Sequence, residues 1–143
     1  MSIRFTVFGK PQALKRHRSF RRGNFTGQYD PSKGDKADFL AKAMEHKPDK
    51  PMEGALLLKI AAYFKRPASH FGRRDKMPYL KDGSPKFHTN TPDADNIAKF
   101  IGDALNGIFW DDDKQIAVLE MTKLYCEDGC TPNINIFIMQ LEG

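Results

Sequence analysis

The sequence predicts an α+β fold, a single domain in which two main helices pack on one mixed β-sheet. Four segments alternate apolar and polar residues, which is typical of strands with one buried face. Two other segments repeat apolar residues at intervals of three and four, which indicates helices with one buried stripe. The predicted order is strand, helix, strand, helix, strand, strand, and the last two strands are expected to form an antiparallel hairpin. A chain of 143 residues can bury one core, so residues 1–143 are assigned to one domain.

The first predicted strand covers residues 3–8, where apolar and polar side chains alternate. Residues 10–29 follow as an irregular basic loop that also carries aromatic side chains. Basic and aromatic residues together can hold and stack on nucleic acid, although a solvated loop has the same composition. Tyr29, at the end of this loop, is expected to pack on the core.

A helix is predicted from Asp30, as its N-cap, and Pro31, at its first position, to about Lys47. Residues 54–65 are then predicted to form a mostly buried strand. Residues 66–90 are rich in Gly, Pro and basic residues, and a loop of this length is usually functional or mobile. We therefore expect a flexible flap beside the functional site.

The second helix is predicted to begin just after Pro92 and to stop at Gly107. Its apolar stripe consists of Ile97, Ile101, Ala104, Leu105 and Ile108. The opposite face presents Asp95, Lys99 and Asp103 at intervals of four, so charged groups line the side that faces away from the core.

Two strands are predicted at residues 115–125 and 133–141, joined by a turn around Asp128-Gly129. The only cysteines are Cys126 and Cys130, and no second Cys or His pair lies at zinc spacing. A disulfide or half of a zinc site is conceivable, but free thiols in a reducing cytosol are the favoured interpretation.

The charge distribution favours a polyanionic partner, since the net charge is +5 and the pI is about 9.2. Residues 10–22 contain six basic residues and no acidic one, namely Lys10, Lys15, Arg16, Arg18, Arg21 and Arg22. No apolar run approaches the length of a membrane span, and residues 1–4 lack a signal-peptide core. A cytoplasmic, nucleoid-associated protein without a membrane partner is expected.

An acidic cluster dominates residues 93–113, where six Asp face a single base, Lys99. If Asp93, Asp95 and Asp113 converge within about 4 Å, each pair repels by roughly 4 kcal/mol at an effective dielectric near 20. A hard cation such as Mg²⁺ would relieve that repulsion. The alternative stays open that these acids only cap a helix and fill a solvated turn. An EF-hand is excluded, because its Gly and Glu positions are missing.

The spacing of these residues resembles the RusA family of Holliday junction resolvases. The motif PDxDNxxK stands at 92–99, DAL at 103–105 and DDxQ at 112–115, with His88-Thr89 just before them. Gly9-Lys10-Pro11 and the basic run after it are similar to the family's N-terminal loop. Ala94 departs from the family, which often has a larger apolar residue there, and so does the segment 12–14, which the family often replaces by a shorter Pro/Lys run.

The resemblance implies Mg²⁺-dependent cleavage of branched DNA, the four-way junction, by a homodimer in recombination and repair. It implies no organic cofactor. Three acids would be both catalytic and metal-binding, Lys99 would be the essential lysine, and four bases would contact DNA. The acids are Asp93, Asp95 and Asp113, and the bases are Lys10, Lys15, Arg16 and Arg18.

Two other functions remain open from the sequence. One is a nuclease with broader selectivity for branched DNA, and the other is a non-catalytic DNA-binding module with structural acids. His88 is a weak candidate for substrate contact, Asp112 for support of the metal shell, and Asp111 is expected to be solvated.

Overall fold

In the computed structural model, which describes residues 1–127 and 129–142, four long strands form one mixed sheet and two helices cover one of its faces. Two short hairpins project from this unit. The elements are β1 (Ser2–Phe8), β2 (Arg18–Arg22), β3 (Phe25–Tyr29), α1 (Lys33–Ala43), β4 (Leu56–Phe64), β5 (Phe71–Arg74), β6 (Met77–Leu80), α2 (Ala94–Leu105), β7 (Ile116–Tyr125) and β8 (Asn133–Gln140). The predicted α+β class with one mixed sheet and two main helices is confirmed.

The main sheet has the order β1-β8-β4-β7, with β8 antiparallel to both of its neighbours and β7 parallel to β4. The predicted hairpin between the last two strands is therefore wrong. Strand β8 alternates Ile134, Ile136 and Ile138, all buried, and its position between β1 and β4 gives these side chains apolar neighbours on both sides. Strand β7 becomes an edge strand, and its Val118 and Leu119 are exposed.

Helix α2 is the element that the core is built against. Its buried side chains include Ile97, Ile101, Ala104 and Leu105 of the predicted apolar stripe and, in addition, Phe100. Ile108, the last member of that stripe, lies beyond the helix and is partly buried. Phe100 meets Phe39 of α1 edge-on with ring centroids 5.9 Å apart. Since the apolar side of α2 is fixed in the core, its charged side must face outward.

The chain between β1 and α1 is more regular than predicted. Strands β2 and β3 pair as an antiparallel hairpin, and their aromatic rings pack on one another. Tyr29 is 47% exposed, so its expected place in the core is wrong. Helix α1 begins after Ser32, and Asp30 instead accepts a hydrogen bond from the Ser32 amide at 2.9 Å. The expected cap at Asp30 is therefore displaced by two residues.

The segment 66–90 contains the hairpin of β5 and β6, and its last residues are tied to β7. The amide of His88 donates to the carbonyl of Lys123 at 3.1 Å, and the amide of Tyr125 donates to that of Lys86 at 3.0 Å. Residues 86–88, near the end of the segment, are thus fixed beside the sheet. The flexibility of the rest of residues 66–90 remains a prediction.

Cys126 and Cys130 form a disulfide, so the expectation of free thiols is wrong. Their separation of four residues allows a turn that brings the two Cα atoms within 5.5 Å. Asp128, in the predicted turn, lies outside the described residues. Within the described part of the chain, no helix combines the length and apolar character that crossing a bilayer requires.

Candidate functional site

Two of the candidate acids stand at the start of α2. Asp93 is the N-cap residue with extended backbone, and its carbonyl accepts the first helical hydrogen bond from Ile97 at 3.1 Å. Its carboxylate makes no capping hydrogen bond within the described chain. Asp93 and Asp95 are both exposed, and neither has an ion-pair partner within 4.0 Å among the described residues. The helix therefore positions two carboxylates that the described chain leaves uncompensated.

Lys99 lies one turn after Asp95 and is exposed. In the part of the chain that the structure describes, it has no carboxylate within 4.0 Å. The nearby Asp103 is instead 3.7 Å from Lys36 of α1. A structural salt bridge from Lys99 to either helical neighbour is thus not formed, which leaves its ammonium available for a bound anion.

Asp113 is held by Trp110, whose indole Nε1–H donates to Oδ1 at 2.7 Å. Trp110 is fully buried and anchors the turn that leads from α2 to β7. Burial is the largest cause that raises the pKa of the Asp113 carboxyl, and the charges of Asp103 and Asp112 raise it further. The hydrogen bond from Trp110 acts in the opposite direction. Asp113 is therefore a carboxylate whose negative charge is poorly compensated.

The DDxQ motif at 112–115 also has a structural function. An Asp followed three residues later by a Gln is the spacing of a capping box, so the sequence could have indicated it. Asp112 and Gln115 form a capping box around a short 3-10 turn, in which the Asp112 carboxylate accepts from the Lys114 amide at 2.9 Å. The side-chain Nε2 of Gln115 also donates to the carbonyl of Met52 at 2.9 Å. These contacts fix the position of Asp113 and give Asp112 a capping function in the turn, while its support of a metal shell stays a prediction.

Asp113 lies beside a later part of α2 than the other two acids. A Cβ atom at Gly102 would lie 3.8 Å from Asp113 Oδ1, so this carboxylate lies beside the second half of α2. Gly102 follows Asp95 by seven residues and Asp93 by nine, which is roughly 10 and 13 Å along a helix axis. Within residues 1–127 and 129–142, no group of three or more Asp, Glu, His or Cys could hold a metal ion. The expected three-carboxylate cage is not formed in the single chain.

The donors at the start of α2 nevertheless suit Mg²⁺. This ion prefers oxygen ligands and usually binds through one or two carboxylates, with waters and substrate phosphates completing its shell. Asp93 and Asp95 are two such carboxylates, exposed and without a protein partner in the described residues. The residues therefore fit a cation shared with a phosphate better than a cation enclosed by protein.

The basic loop is joined to the start of α2. The amide of Leu14 donates to the carbonyl of Asn96 at 3.0 Å, and that of Lys15 donates to the Ser32 hydroxyl at 2.8 Å. Lys15 is thereby held near the start of α2, and Lys10 and Lys15 share a surface with Thr91 and Pro92, which precede the acids of that helix. All four predicted DNA-contact residues are exposed, namely Lys10, Lys15, Arg16 and Arg18.

His88 lies next to this region, on the same surface as Lys10, Lys15 and Pro92. The His88 ring stacks on Phe64 with centroids 3.8 Å apart, and its buried Nδ1 has no hydrogen-bond partner among the described residues. Burial, followed by the charge of Lys123, lowers the pKa of His88. Arg66, which the sequence analysis did not single out, is buried and donates to the carbonyls of Cys126 and Pro85 at 3.0 and 2.7 Å. The sequence did not indicate that Arg66 is buried and binds backbone carbonyls, because it is a single Arg before a Gly- and Pro-rich segment.

Comparison with protein families matches residues 9–139 to the family described as Endodeoxyribonuclease RusA. A protein of Bacillus subtilis (strain 168), described as uncharacterized protein YqaN, is 30% identical over 143 residues. That similarity covers 99% of this chain and 98% of the relative. The description of the relative names no activity, so the functional information comes from the family.

Proposed function

The chain belongs to the RusA endodeoxyribonuclease family, and from this we propose that it resolves four-way DNA junctions by paired, Mg²⁺-dependent cuts. The family acts on branched DNA, so a nuclease function follows from membership, while the junction specificity, the metal and a role in recombination and repair are part of the proposal. The single observation that supports it best is the docking of the basic loop on α2. Phosphates held by the loop would lie beside Asp93 and Asp95.

In the proposed reaction, a water oxygen adds to the scissile phosphorus and one P–O ester bond breaks. The proton of the water ends on the leaving oxygen, which becomes a hydroxyl at one strand end, and the other end keeps the phosphate. Bound Mg²⁺ would supply Lewis-acid polarisation of the phosphate and a more acidic water. Asp93 and Asp95 would hold the ion, and the phosphate would complete its shell.

Lys99 has a separate function in this proposal. Its exposed ammonium lies one turn from Asp95 and has no carboxylate partner in the described residues. It would neutralise the charge that builds on the phosphate oxygens. Asp113, in the turn after α2 and beside the second half of that helix, would act on the same phosphodiester.

A homodimer suits the substrate. A four-way junction has two-fold symmetry and must be cut at two related positions, so two copies related by a two-fold axis would present one site to each strand. The basic loops of the two copies would then contact separate arms of the junction.

The proposal is tested by incubating the purified protein with a synthetic four-way junction, a flap and a linear duplex, each with Mg²⁺ and each with EDTA. We expect paired nicks in the junction with Mg²⁺, little cleavage of the duplex, and none of any substrate with EDTA. Equal cleavage of junction and flap would replace the proposal by a broader branched-DNA nuclease. Binding without cleavage under every condition would indicate a non-catalytic DNA-binding module.

A further inference from the structure

A cavity of about 700 Å³ opens beside the start of α2, and we name it the basic cavity. Residues 10–15 of the basic loop form one wall, the end of β4 with Phe64 and Lys65 forms another, and His88 and Pro92 lie between them. Its volume is within the range of pockets that enclose small organic molecules, about 300–1,000 Å³. Pro92 directly precedes Asp93, so the cavity adjoins the candidate cleavage site.

The walls of the basic cavity are fixed by backbone hydrogen bonds to regular elements. The loop wall is tied to α2 through Leu14 and Asn96 at 3.0 Å. The opposite wall is part of the sheet, and His88 is tied to β7 through the carbonyl of Lys123 at 3.1 Å. The cavity is therefore formed before any ligand binds, which reduces the entropy that binding would cost.

The lining combines two kinds of surface. Lys10, Lys15 and Lys65 supply positive charge, and none of the described acidic residues lines the cavity. Lys15 does reach Asp35 at 3.6 Å, but Lys15 is exposed and Asp35 partly exposed, and ion pairs at the surface are weak. Apolar side chains make up much of the remaining wall, namely Pro11, Ala13, Leu14, Phe64, Pro92 and Pro132.

The stacked pair of His88 and Phe64 gives the cavity a flat aromatic wall. Both rings line the cavity, Phe64 being buried and His88 half-buried, and Tyr125 packs against His88 at a tilt with ring centroids 5.1 Å apart. Burial, followed by the charge of Lys123, lowers the pKa of His88, which favours the neutral form of the ring. A neutral flat ring is a stacking surface for a nucleobase.

We infer that the basic cavity receives one unpaired nucleotide from the branch point of the DNA, with its phosphate near the lysines and its base on His88. The inference rests on the proposed function. A site for phosphate alone would not need apolar and aromatic walls, and a site for an apolar ligand would not present three lysines. A nucleotide has both chemistries, and bases that are already unpaired or poorly stacked leave the helix at the lowest cost.

The test uses 2-aminopurine, whose fluorescence rises when it leaves the base stack. It is placed in turn at each branch-point position of a synthetic four-way junction, and at a position well within one arm. The full-length protein is added to saturation in EDTA, so that cleavage does not interfere. We expect a several-fold rise at one or more branch-point positions and no change within the arm.

Two variants assign the effect to the basic cavity. His88→Ala should abolish most of the rise at saturation and weaken junction binding by about 5- to 150-fold, the range for one stacked base. His88→Phe, which restores a ring, should recover the rise. Lys65→Glu should also reduce it, whereas Lys59→Glu should not. Lys59 is an exposed lysine of β4 that pairs with Glu120 and does not line the cavity. Lys59→Glu therefore makes the same change of charge as Lys65→Glu, but outside the cavity.

The outcomes separate this inference from the proposed function. Tight junction binding without a rise at any branch-point position would overturn the inference and leave the nuclease function intact. An equal rise in wild type, His88→Ala and Lys65→Glu would show that the nucleotide is received elsewhere, and would also overturn it. A protein that neither binds nor cuts the junction would contradict the proposed function, and this inference with it.

Discussion

Two groups of acids near α2 differ in how their charge is compensated. Asp30 and Asp103 share Lys36, whose Nζ lies 2.6 Å from Asp30 and 3.7 Å from Asp103. Asp93 and Asp95, less than three turns from Asp103 on α2, have no such partner in the described residues. The pKa of Asp30 is lowered, chiefly by its hydrogen bond with Lys36, whereas that of Asp113 is raised by burial and by neighbouring acids.

This difference separates structural acids from candidate functional acids. The group around Lys36 joins the start of α1 to α2, so its charges contribute to the fold. Asp93 and Asp95 form no stabilising ion pair with the described residues. Acids without such a partner are typical of functional sites, where stability is lower than it could be.

The largest contrast is expected between two lysines. Lys99→Met should lower junction cleavage by on the order of 100- to 1,000-fold, the range for one group that stabilises transition-state charge. It should leave the melting temperature unchanged, because Lys99 makes no ion pair in the described residues. Lys36→Met should do the reverse, with a melting temperature lower by a few degrees and cleavage near wild type. Cleavage rates and melting temperatures are measured for both variants. A lower melting temperature for Lys99→Met would show that Lys99 has a structural function.

Asp113→Asn should lower cleavage by about 100-fold without lowering stability. The amide oxygen of Asn can still accept the hydrogen bond from Trp110, while the charge opposed by Asp103 and Asp112 is removed. The melting temperature at neutral pH should therefore be equal to or above that of wild type. A clear loss of thermal stability would mean that the carboxylate is a structural group.

Arg16 and Arg18 test the basic loop with a smaller effect. Removing one phosphate contact should reduce the slope of log binding constant against log salt by about one, through counterion release. Arg16→Gln and Arg18→Gln are compared with Arg73→Gln, an exposed arginine of β5 outside the loop. Junction binding measured over a series of salt concentrations gives the slopes, and unchanged slopes for both loop variants would place the phosphate contacts elsewhere.

The smallest effect concerns pH and stability. Because the folded-state pKa of Asp30 is below its unfolded value, the pair with Lys36 stabilises the protein above pH of about 4 and is lost as the pH falls through the folded pKa. Asp30→Asn should therefore be less stable than wild type at pH 7, and the difference should vanish in acid. Asp49→Asn, at an exposed acid, should match wild type throughout. Unfolding in urea at several pH values measures this, and a difference that persists at low pH would contradict the pairing.

The strongly periodic elements could be predicted from the sequence. The stripe of α2 and the alternation in β4 and β8 each specify one buried face, so both type and orientation followed. The neighbours of β8 could not be predicted, because its alternation fits a place beside any strand of the sheet. Only the packing of the whole sheet puts β8 between β1 and β4 and leaves β7 at the edge.

The two short hairpins differ in how strongly the sequence indicates their turns. The turn between β2 and β3 is Gly23-Asn24, a two-residue hairpin signal that the basic composition of the segment obscured. The turn between β5 and β6 is Asp75-Lys76, and both residues have positive φ without a glycine. Such a turn carries little sequence signal, because non-glycine residues rarely adopt this conformation.

The candidate site could be predicted in part. The motif at 92–99 lies on one helix, so its side chains had to share a region of the surface once the helix was identified. The position of Asp113 depends on the path of the chain after Gly107, where buried Phe109 and Trp110 direct the turn toward the second half of α2. That path is a consequence of core packing, which spacing along the sequence does not encode.

The most direct test of the central claim compares Asp93→Asn with Asp111→Asn. Both remove one exposed carboxylate, but only Asp93 lies at the start of α2. Cleavage of a four-way junction is measured over a series of Mg²⁺ concentrations, together with junction binding in EDTA. We expect Asp93→Asn to bind the junction as wild type does and to cut on the order of 100- to 1,000-fold more slowly, while Asp111→Asn cuts normally. Cleavage by Asp93→Asn at the wild-type rate and with the same Mg²⁺ dependence would contradict the assignment of the site to this helix.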